Sequence, residues 1–287
     1  MTPSATSVAA VAARPSGLAR SVALHALVYA GAATMLLPFI WMVSTSLKAS
    51  GSVFDVPPKW IPNPVAWGNY RETLESLPFG WMFVNTVIVS GCITLGQLLT
   101  SSLAGYAFAR VDFRGRDRLF LAYLATMMVP GAVTMIPVFI TVRMLDLVDT
   151  YWALILPGVF TAYGTFMMRQ FFMAIPRELE EAAFIDGSGH FGVYRRIVLP
   201  LSKPALATLG TFTFMGAWRD FMWPLLVTNS ETMQTLAVGL ASFQGMYYTA
   251  WPLLMAGSVL VMAPLVGVFL FNQRFFIESI KLEGIKG

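Results

Sequence analysis

Six apolar runs, each long enough to cross a bilayer, constrain this chain more than any other feature of its sequence. They cover residues 24–47, 81–109, 119–142, 152–174, 205–228 and 249–272. A membrane-spanning helix needs about 20 mostly apolar residues, and no strand-like alternation competes with these runs. The sequence therefore predicts an all-α integral membrane protein with six transmembrane helices over residues 21–272. Short tails are predicted at residues 1–20 and 273–287, and the first run is too long for the core of a cleaved signal peptide.

Composition supports this class. The chain is 56% hydrophobic and 12% charged, whereas about 25% of residues are charged in soluble domains. The single cysteine, Cys92, lies within an apolar run, so disulfides contribute nothing to the fold. Basic loops on one side of a membrane account for the net charge of +4 without a nucleic-acid partner.

The distribution of Lys and Arg predicts the orientation, because positively charged loops stay in the cytosol. One side carries Arg14, Arg20, Arg110, Arg114, Arg116, Arg118, Arg169, Arg177, Arg195, Arg196, Lys203, Arg274, Lys281 and Lys286. The other side carries Lys48, Lys59, Arg71 and Arg143. Both termini are therefore predicted to be cytosolic. The external segment at residues 48–80 is rich in proline and tryptophan, and it is expected to form an ordered cap at the outer interface. A plain connector and a contact with an external partner both remain open for this segment.

Prolines interrupt most of the apolar runs, at Pro130, Pro137, Pro157, Pro224 and Pro264. Each proline removes a helix hydrogen bond and bends the backbone. Neighbouring helices or water must then satisfy the freed carbonyls, since lipid cannot. Kinked spans are expected.

The connection between the fourth and fifth runs, residues 175–204, is one of the most polar parts of the chain. We name it the polar connection. Pro176 favours a helix start, and Gly187 is expected to end that helix in a left-handed turn. A second helix is expected to start between residues 188 and 190. On the first helix, Leu179, Ala182, Ala183 and Asp186 are predicted to share one face. Small side chains beside acids suit a helix that enters a groove on a partner.

A glycine pattern within the polar connection, Gly187-x-Gly189-x-x-Gly192, imitates a dinucleotide fingerprint. That fingerprint needs a preceding strand and an acid about 20 residues further on. Here a helix is predicted to precede the glycines, and no acid follows before Asp220, within the fifth run. The chain also contains no phosphate-binding loop. Any energy for transport must then come from an ion gradient or another subunit.

Polar residues within the runs are candidates for a transport pathway. Arg219 and Asp220 are predicted inside the fifth span, where each charge would cost about 2.5–3.5 kcal/mol unless it faced protein or water. Lining or gating the pathway and bracing helix packing are equally compatible with them. Asn85 and Tyr163 are weaker candidates, since interhelical hydrogen bonds explain such residues more often. Neither a metal-ligand spacing nor a nucleophile–base arrangement is recognisable, and no enzymatic activity is predicted.

The polar connection resembles the signature loop of permease subunits of ATP-binding-cassette importers. That signature is E-A-A, three residues, G, nine residues and I-x-L-P. Its positions are occupied here by Glu181, Ala182, Ala183, Gly187, Ile197, Leu199 and Pro200. The segments VPGAVTMIPVF, DTYWALILPG, MMRQFFMAIP and WRDFMWPLLVT, with the terminal IKG, are similar to MalG-like subunits of bacterial carbohydrate importers.

The resemblance implies a type I importer permease of the bacterial cytoplasmic membrane. Its partners would be a second, MalF-like permease, two cytosolic ATPase subunits that bind ATP and Mg²⁺, and an external solute-binding protein. No cofactor is expected on this chain. The signature residues and Asp186 would couple the permease to the ATPase, and the solute would be a sugar or oligosaccharide.

Other functions remain open at this point. Within importers, relatives carry polyols or glycerol phosphate derivatives. An ion-coupled secondary transporter would need ionisable groups within the membrane, with which Arg219 and Asp220 are compatible, but it would not need the ATPase-docking signature. A membrane-embedded enzyme would need a reactive constellation that the sequence does not show.

Overall fold

The computed structural model describes residues 17–245 and 247–284, with side chains over 20–245 and 247–273. Within these residues the backbone is helical apart from connections and one isolated β-bridge between Gln244 and Thr249. Residues 1–16 of the predicted N-terminal tail and residues 285–287 lie outside the described residues. The all-α prediction is therefore confirmed over the described part of the chain.

The α-helices are numbered here in chain order. They are α1 (Gly17–Ser46), α2 (Gly68–Ser76), α3 (Phe79–Arg110), α4 (Arg116–Ala125), α5 (Gly131–Met144), α6 (Tyr151–Ile155), α7 (Ala162–Ala174), α8 (Glu178–Ile185), α9 (His190–Val193), α10 (Leu199–Leu201), α11 (Lys203–Trp218), α12 (Met222–Val227), α13 (Leu236–Ala241) and α14 (Trp251–Gly284). A π-helix at Tyr194–Val198 joins α9 to α10.

Three of these helices are long and apolar enough to cross a bilayer unbroken. They are α1, with 30 residues, α3, with 32, and α14, with 34. At 1.5 Å per residue each is about 45–50 Å long, more than a hydrocarbon core of about 30 Å. Helix α14 also continues into the segment that the sequence assigns to the C-terminal tail.

The third predicted run is sharply bent rather than continuous. The segments Arg116–Met128 and Gly131–Met144 meet at 98°. Val129 and Pro130 between them are extended, with ψ of 117° and 135°. The residue before a proline avoids the helical region, and proline has no N–H to donate. The break therefore falls at the proline that the sequence marks, although its angle exceeds a simple kink.

The fourth run is bent more gently. Its segments Tyr151–Gly158 and Ala162–Ala174 meet at 43°. Thr161 precedes α7, and its hydroxyl accepts a hydrogen bond from the amide of Gly164. This side-chain cap lets α7 restart after the break by satisfying one of its free N–H groups.

The fifth run, predicted over residues 205–228 as one helix, is two helices. Helix α11 ends at Trp218 and α12 begins at Met222. Helix α11 also meets the preceding segment His190–Leu201 at 77°. If each bent pair is one span, the described chain has up to six candidate spans.

Helix α3 is the centre of the packing, against α7 and α11. Near its C-terminal end lies a core that we name the Tyr106 cluster. It comprises Tyr106, Ala109, Met168, Phe172, Ile175, Val193, Tyr194, Val198, Ala205 and Leu209. A second core lies further toward the N-terminal end of α3 and includes Val89, Ile93, Leu154 and Val227. The polar connection therefore contributes directly to the Tyr106 cluster.

Close approach of α3 and α7 depends on Gly105. A Cβ placed on Gly105 would lie 2.9 Å from Cβ of Met168 and 3.0 Å from the backbone nitrogen of Arg169. Backbone atoms cannot move aside as a flexible side chain can. Small residues at such crossings are typical of membrane helices, which associate by close packing rather than by a hydrophobic driving force.

The segment between α1 and α3 is held by specific contacts. The amide of Asn69 in α2 donates to the carbonyl oxygens of Ser46 and Lys48, at 2.8 and 2.9 Å. The ammonium of Lys48 lies 3.8 Å from the ring centre of Trp41, and Trp60 packs edge-on against the same tryptophan. Burial lowers the pKa of the Lys48 amine. The segment is thus ordered, while its role toward an external partner stays a prediction.

Candidate functional site in the polar connection

The polar connection folds as two helical segments joined at Gly187, in the arrangement that the sequence predicts. Gly187 has a φ of +81°, a left-handed conformation that glycine adopts without strain. Its N–H donates to the carbonyl of Phe184 at 3.0 Å, and the N–H of Ser188 donates to that of Ala183 at 2.9 Å. These two bonds are the Schellman pattern, which ends a helix and turns the chain.

One side chain of α8, Glu180, is buried inside the protein. Its carboxylate oxygen lies 2.8 Å from Nε of Arg110, and the two side chains are only 6% and 5% exposed. Arg110 also donates from Nη2 to the carbonyl oxygen of Phe172 at 2.6 Å, and to that of Ile175. Since α7 ends at Ala174, Arg110 satisfies carbonyls at the end of α7 and holds α8 with the same side chain.

Burial raises the pKa of the Glu180 carboxyl, and the positive charge of Arg110 opposes that shift. The charges of Arg177 and His190 oppose it as well. A buried carboxylate is costly to charge without a compensating cation. The ion pair therefore depends on both members, because loss of Arg110 would leave an uncompensated negative charge in the core.

The opposite face of α8 is exposed. It carries Glu178, Glu181, Ala182 and Ile185, which lie one above another on one side of the helix. Ile185 is 86% exposed. Asp186 follows at the C-cap and is also exposed. This outer face of α8 combines acids, a small alanine and an apolar side chain with no covering element among the described residues.

The exposed face differs in part from the predicted one. Ala182 is exposed, but Ala183 is partly buried and packs against the Tyr106 cluster. The i, i+3, i+4 rule identifies residues that share a face, but it cannot tell which of two adjacent residues turns inward. The burial of Glu180 decides this here, since Ala183 lies three residues further on the same side.

The second half of the connection is built into the core. Val193, Tyr194 and Val198 are buried within the Tyr106 cluster, and the Tyr194 hydroxyl lies 2.8 Å from Oγ of Ser102 in α3. The signature residues Ile197 and Leu199 are partly buried against the same cluster, whereas Pro200 is exposed. The last three positions of the signature thus lie just before α11, the first helix of the fifth run. The π-helix has no signal in the sequence.

Arg219 and Asp220 lie at the break between α11 and α12, not inside a continuous helix. The backbone amides of Phe221, Met222 and Trp223 interact with the Asp220 carboxylate, which lines a cavity of about 370 Å³ between α3, α5 and α12. Arg219 is exposed and lines a separate groove of about 570 Å³ beside α1 and α14. The structure does not bring these two side chains to one site.

Asn85 and Tyr163 have contrasting surroundings. Asn85 is fully buried, and its amide donates to the carbonyl oxygens of Thr232 and Gln234 at 2.7 and 3.0 Å. Its side-chain oxygen accepts from the Tyr151 hydroxyl at 2.6 Å. These bonds account for Asn85 by helix packing alone. Tyr163 is half exposed near the start of α7.

Several long-range polar contacts have no signal in the sequence, among them two that involve acidic side chains. The first is the Arg110–Glu180 pair, whose members look like a basic loop residue and a first-turn acid. The second is Asp149, which accepts hydrogen bonds from the amides of Asn229 and Ser230 at 2.9 and 3.1 Å and from the Ser230 hydroxyl. The Ser230 hydroxyl bond lowers the pKa of Asp149. Among the described residues, no group of three His, Cys, Asp or Glu side chains could hold a metal.

Residues 97–281 match the family model for "binding-protein-dependent transport system inner membrane component". This chain belongs to that family. It is a multi-pass membrane subunit of a transport system and not a catalytic subunit.

Curated relatives match over most of their length. The arabinooligosaccharide transport permease AraQ of Halalkalibacterium halodurans is 38% identical over 85% of this chain and 86% of its own. AraQ of Bacillus subtilis is 35% identical over 88% and 91%. The sn-glycerol-3-phosphate transport permease UgpE of Yersinia enterocolitica is 36% identical over 89% and 94%.

Solved structures share the fold. A chain of a bacterial ABC transporter that imports the acidic polysaccharide alginate has a TM-score of 0.79 at 24% identity, over 92% of this chain and 100% of that chain. A chain from the alginate transporter in complex with an alginate-bound periplasmic protein has a TM-score of 0.66 at 15% identity, over 89% and 94%. The ABC importer permease fold is therefore confirmed.

Proposed function

We propose that this chain forms half of the translocation pathway of an ATP-driven sugar importer and couples it to a cytosolic ATPase through the polar connection. The other half is a second, MalF-like permease subunit. Two ATPase subunits bind ATP and Mg²⁺, an external binding protein delivers the solute, and this chain binds no cofactor of its own.

The outer face of α8 is the observation that carries this proposal. Ile185 is 86% exposed on a short helix that lies outside the candidate spans. Glu181 and Asp186 place negative charge around it, and Ala182 allows a partner surface to approach the backbone. A helix with an exposed apolar side chain and small neighbours suits docking into a groove.

The orientation follows from the same segment. Arg177, Arg195 and Arg196 are exposed on the polar connection, and positive charge favours the cytosolic side. These charges support an orientation with the outer face of α8 toward the ATPase, both termini cytosolic and residues 48–80 outside.

A sugar or oligosaccharide is the solute that the relatives support, because two of them are named as arabinooligosaccharide transport permeases. A polyol or glycerol phosphate derivative is the second candidate, supported by the likeness to UgpE. Arg219 and Asp220 remain candidates for the pathway or its gate, each in its own cavity. Tyr163 is a weaker pathway candidate because its side chain is half exposed. The hydrogen bonds of Asn85 favour a role in helix packing over one in the pathway.

An ion-coupled carrier is disfavoured by the fully folded connection. An ion-coupled carrier does not need a docking helix outside the membrane, whereas this chain has an exposed helix α8 that ends in the Schellman turn at Gly187. The experiment below separates the two mechanisms, since a carrier would continue to transport without the ATPase.

Charge reversal on the outer face tests the proposal. We expect Glu181→Lys, and a bulky residue in place of Gly187, to weaken ATPase co-purification and to reduce solute uptake by about tenfold or more. Glu72→Lys on the external helix α2 is the matched control and should leave both unchanged. Undiminished co-purification and uptake in both connection variants would refute coupling through the polar connection.

A further inference from the structure

The two halves of the polar connection are both held by α3 through buried polar contacts. Glu180, in the first half, pairs with Arg110 at 2.8 Å. Tyr194, in the second half, meets Ser102 at 2.8 Å, with both side chains buried. Ser102 and Arg110 are eight residues apart on α3, which is about 12 Å along the helix axis.

Two separated contacts restrict movement more than one contact does. A connection held only at Glu180 could pivot about that point, and one held only at Tyr194 could swing its α8 end. With both in place, tilting the connection relative to α3 must break a buried polar contact. The turn between the halves is braced too, because the rings of Phe184 and His190 pack edge-to-face at 5.0 Å across it.

The chemistry of the first contact favours a geometric role. A buried ion pair seldom stabilises a protein more than apolar side chains of similar volume, but breaking one is strongly destabilising. The guanidinium directs its hydrogens in a fixed fork. Arg110 donates from Nη2 to the carbonyl oxygens of Phe172 and Ile175 at the end of α7, and its Nε lies 2.8 Å from the Glu180 carboxylate of α8 as an ion pair.

We propose that the Arg110–Glu180 and Ser102–Tyr194 contacts make the polar connection and α3 one rigid body, so that a displacement of α8 by the ATPase moves α3 directly. This inference rests on the proposed coupling function. Arg110 and Glu180 act as positioning residues in it, because they transmit the movement without contacting the ATPase or the solute. Helix α7 moves with α3, since Arg110 and Gly105 join the two.

The rigid body can be tested by distance measurement on the assembled importer in lipid vesicles. Spin labels on Cys substitutions of the exposed Leu103 and Leu179, in a Cys92→Ser background, report the separation between α3 and the start of α8. We expect one narrow distance that is the same without nucleotide and with ATP. In Arg110→Met the distance should broaden and differ between the two states.

Transport supplies the second measurement. Arg110→Met is expected to keep ATPase binding and ATP hydrolysis but to lower solute uptake per ATP by about tenfold. Tyr194→Phe, which removes only the second contact, should lower the same ratio by a smaller factor. Unchanged uptake per ATP and an unchanged narrow distance in Arg110→Met would overturn the proposal.

A double variant keeps the test decisive if Arg110→Met does not assemble. Arg110→Met with Glu180→Leu removes both buried charges, so folding and assembly should return while uptake per ATP stays low. Full recovery of uptake would show that apolar packing suffices, and it would overturn the positioning role. The distance measurement on the permease without ATPase is independent of docking. Failure of the wild-type chain to bind an ATPase would therefore refute the proposed function separately.

Discussion

At the residue scale, Glu180 shows how much depends on one carboxyl group that is turned inward. It follows Leu179 and precedes the exposed Glu181, and nothing in the local sequence separates it from its acidic neighbours. Its partner Arg110 lies at the end of α3, far away in the chain. Local patterns report helix and face, but such a pairing becomes visible only when the fold brings the two elements together.

The raised pKa of Glu180 makes the stability of the permease depend on pH. Because the folded-state pKa lies above the unfolded value, folding favours the protonated carboxyl. The contribution of this group to the free energy of unfolding is therefore largest below the unfolded pKa and falls as the pH rises through the folded pKa. We expect the apparent melting temperature of the wild type, relative to Glu180→Gln, to fall as the pH rises from about 4 toward 7.

Thermal unfolding in detergent across that range measures the difference. The charged groups that face Glu180 are Arg110, Arg177 and His190, and all three stay in place in both proteins. Glu178→Gln, which removes an exposed carboxylate from the same helix, controls for net charge. A wild-type curve parallel to that of Glu180→Gln would contradict the burial of the carboxyl.

At the scale of elements, the broken spans set the limits of sequence-based prediction. Pro130 marks the break in the third run, but its neighbours cannot reveal a bend of 98°, because α4 and α5 take their directions from packing. No proline or glycine follows the end of α11 at Trp218 before Pro224, within α12. Trp218 is buried and its indole donates to the carbonyl of Val261 at 3.0 Å. A tertiary contact thus lies where the helix stops.

The polar connection was easier to predict, because its signals are local. Gly187 fixes the turn through its own backbone conformation, and the second helix begins at His190 within the predicted window. What the sequence could not provide is which residues turn inward. Ala183, Ile197 and Leu199 belong to the signature, and all three pack against the Tyr106 cluster.

The crossing of α3 and α7 allows a direct test of element packing. Gly105→Val should force the helices apart, because a Cβ would lie 3.0 Å from the backbone of Arg169. Overpacking of this kind costs about 1–3 kcal/mol. Gly91→Ala in the same helix is the control, since nothing lies within 4 Å of a Cβ there. Apparent melting temperature and folded yield in detergent should drop for Gly105→Val alone, and an equal drop in both would refute this account.

At the scale of the whole molecule, the fold separates two ends along α3, and the proposed orientation makes one of them cytosolic. The Tyr106 cluster and the polar connection occupy one end, and the core around Val89 lies about 26 Å away along the helix axis. The long apolar runs predict the helical layout well, whereas the cytosolic side of the basic connections stays a prediction. The other subunits of the assembly cannot be predicted from this one chain, because the exposed faces of α1 and α8 do not identify the subunit that covers each of them.

Orientation is open to measurement in intact cells. In the Cys92→Ser background, a cysteine in place of Arg195 should react with a membrane-impermeant maleimide only after the membrane is opened. A cysteine in place of Val56, which is 94% exposed, should react from outside without treatment. The reverse pattern would overturn the orientation of both termini.

The buried pair of Arg110 and Glu180 also has an evolutionary consequence. A lineage that loses either charge first must tolerate an uncompensated ion in the core until the second change arrives, and that intermediate is strongly destabilised. Single replacements at these positions should therefore be rare among descendants of a common ancestor, and the two sites should change together. Correlated substitution at positions 110 and 180 among relatives would therefore reveal a contact that no local sequence pattern predicts.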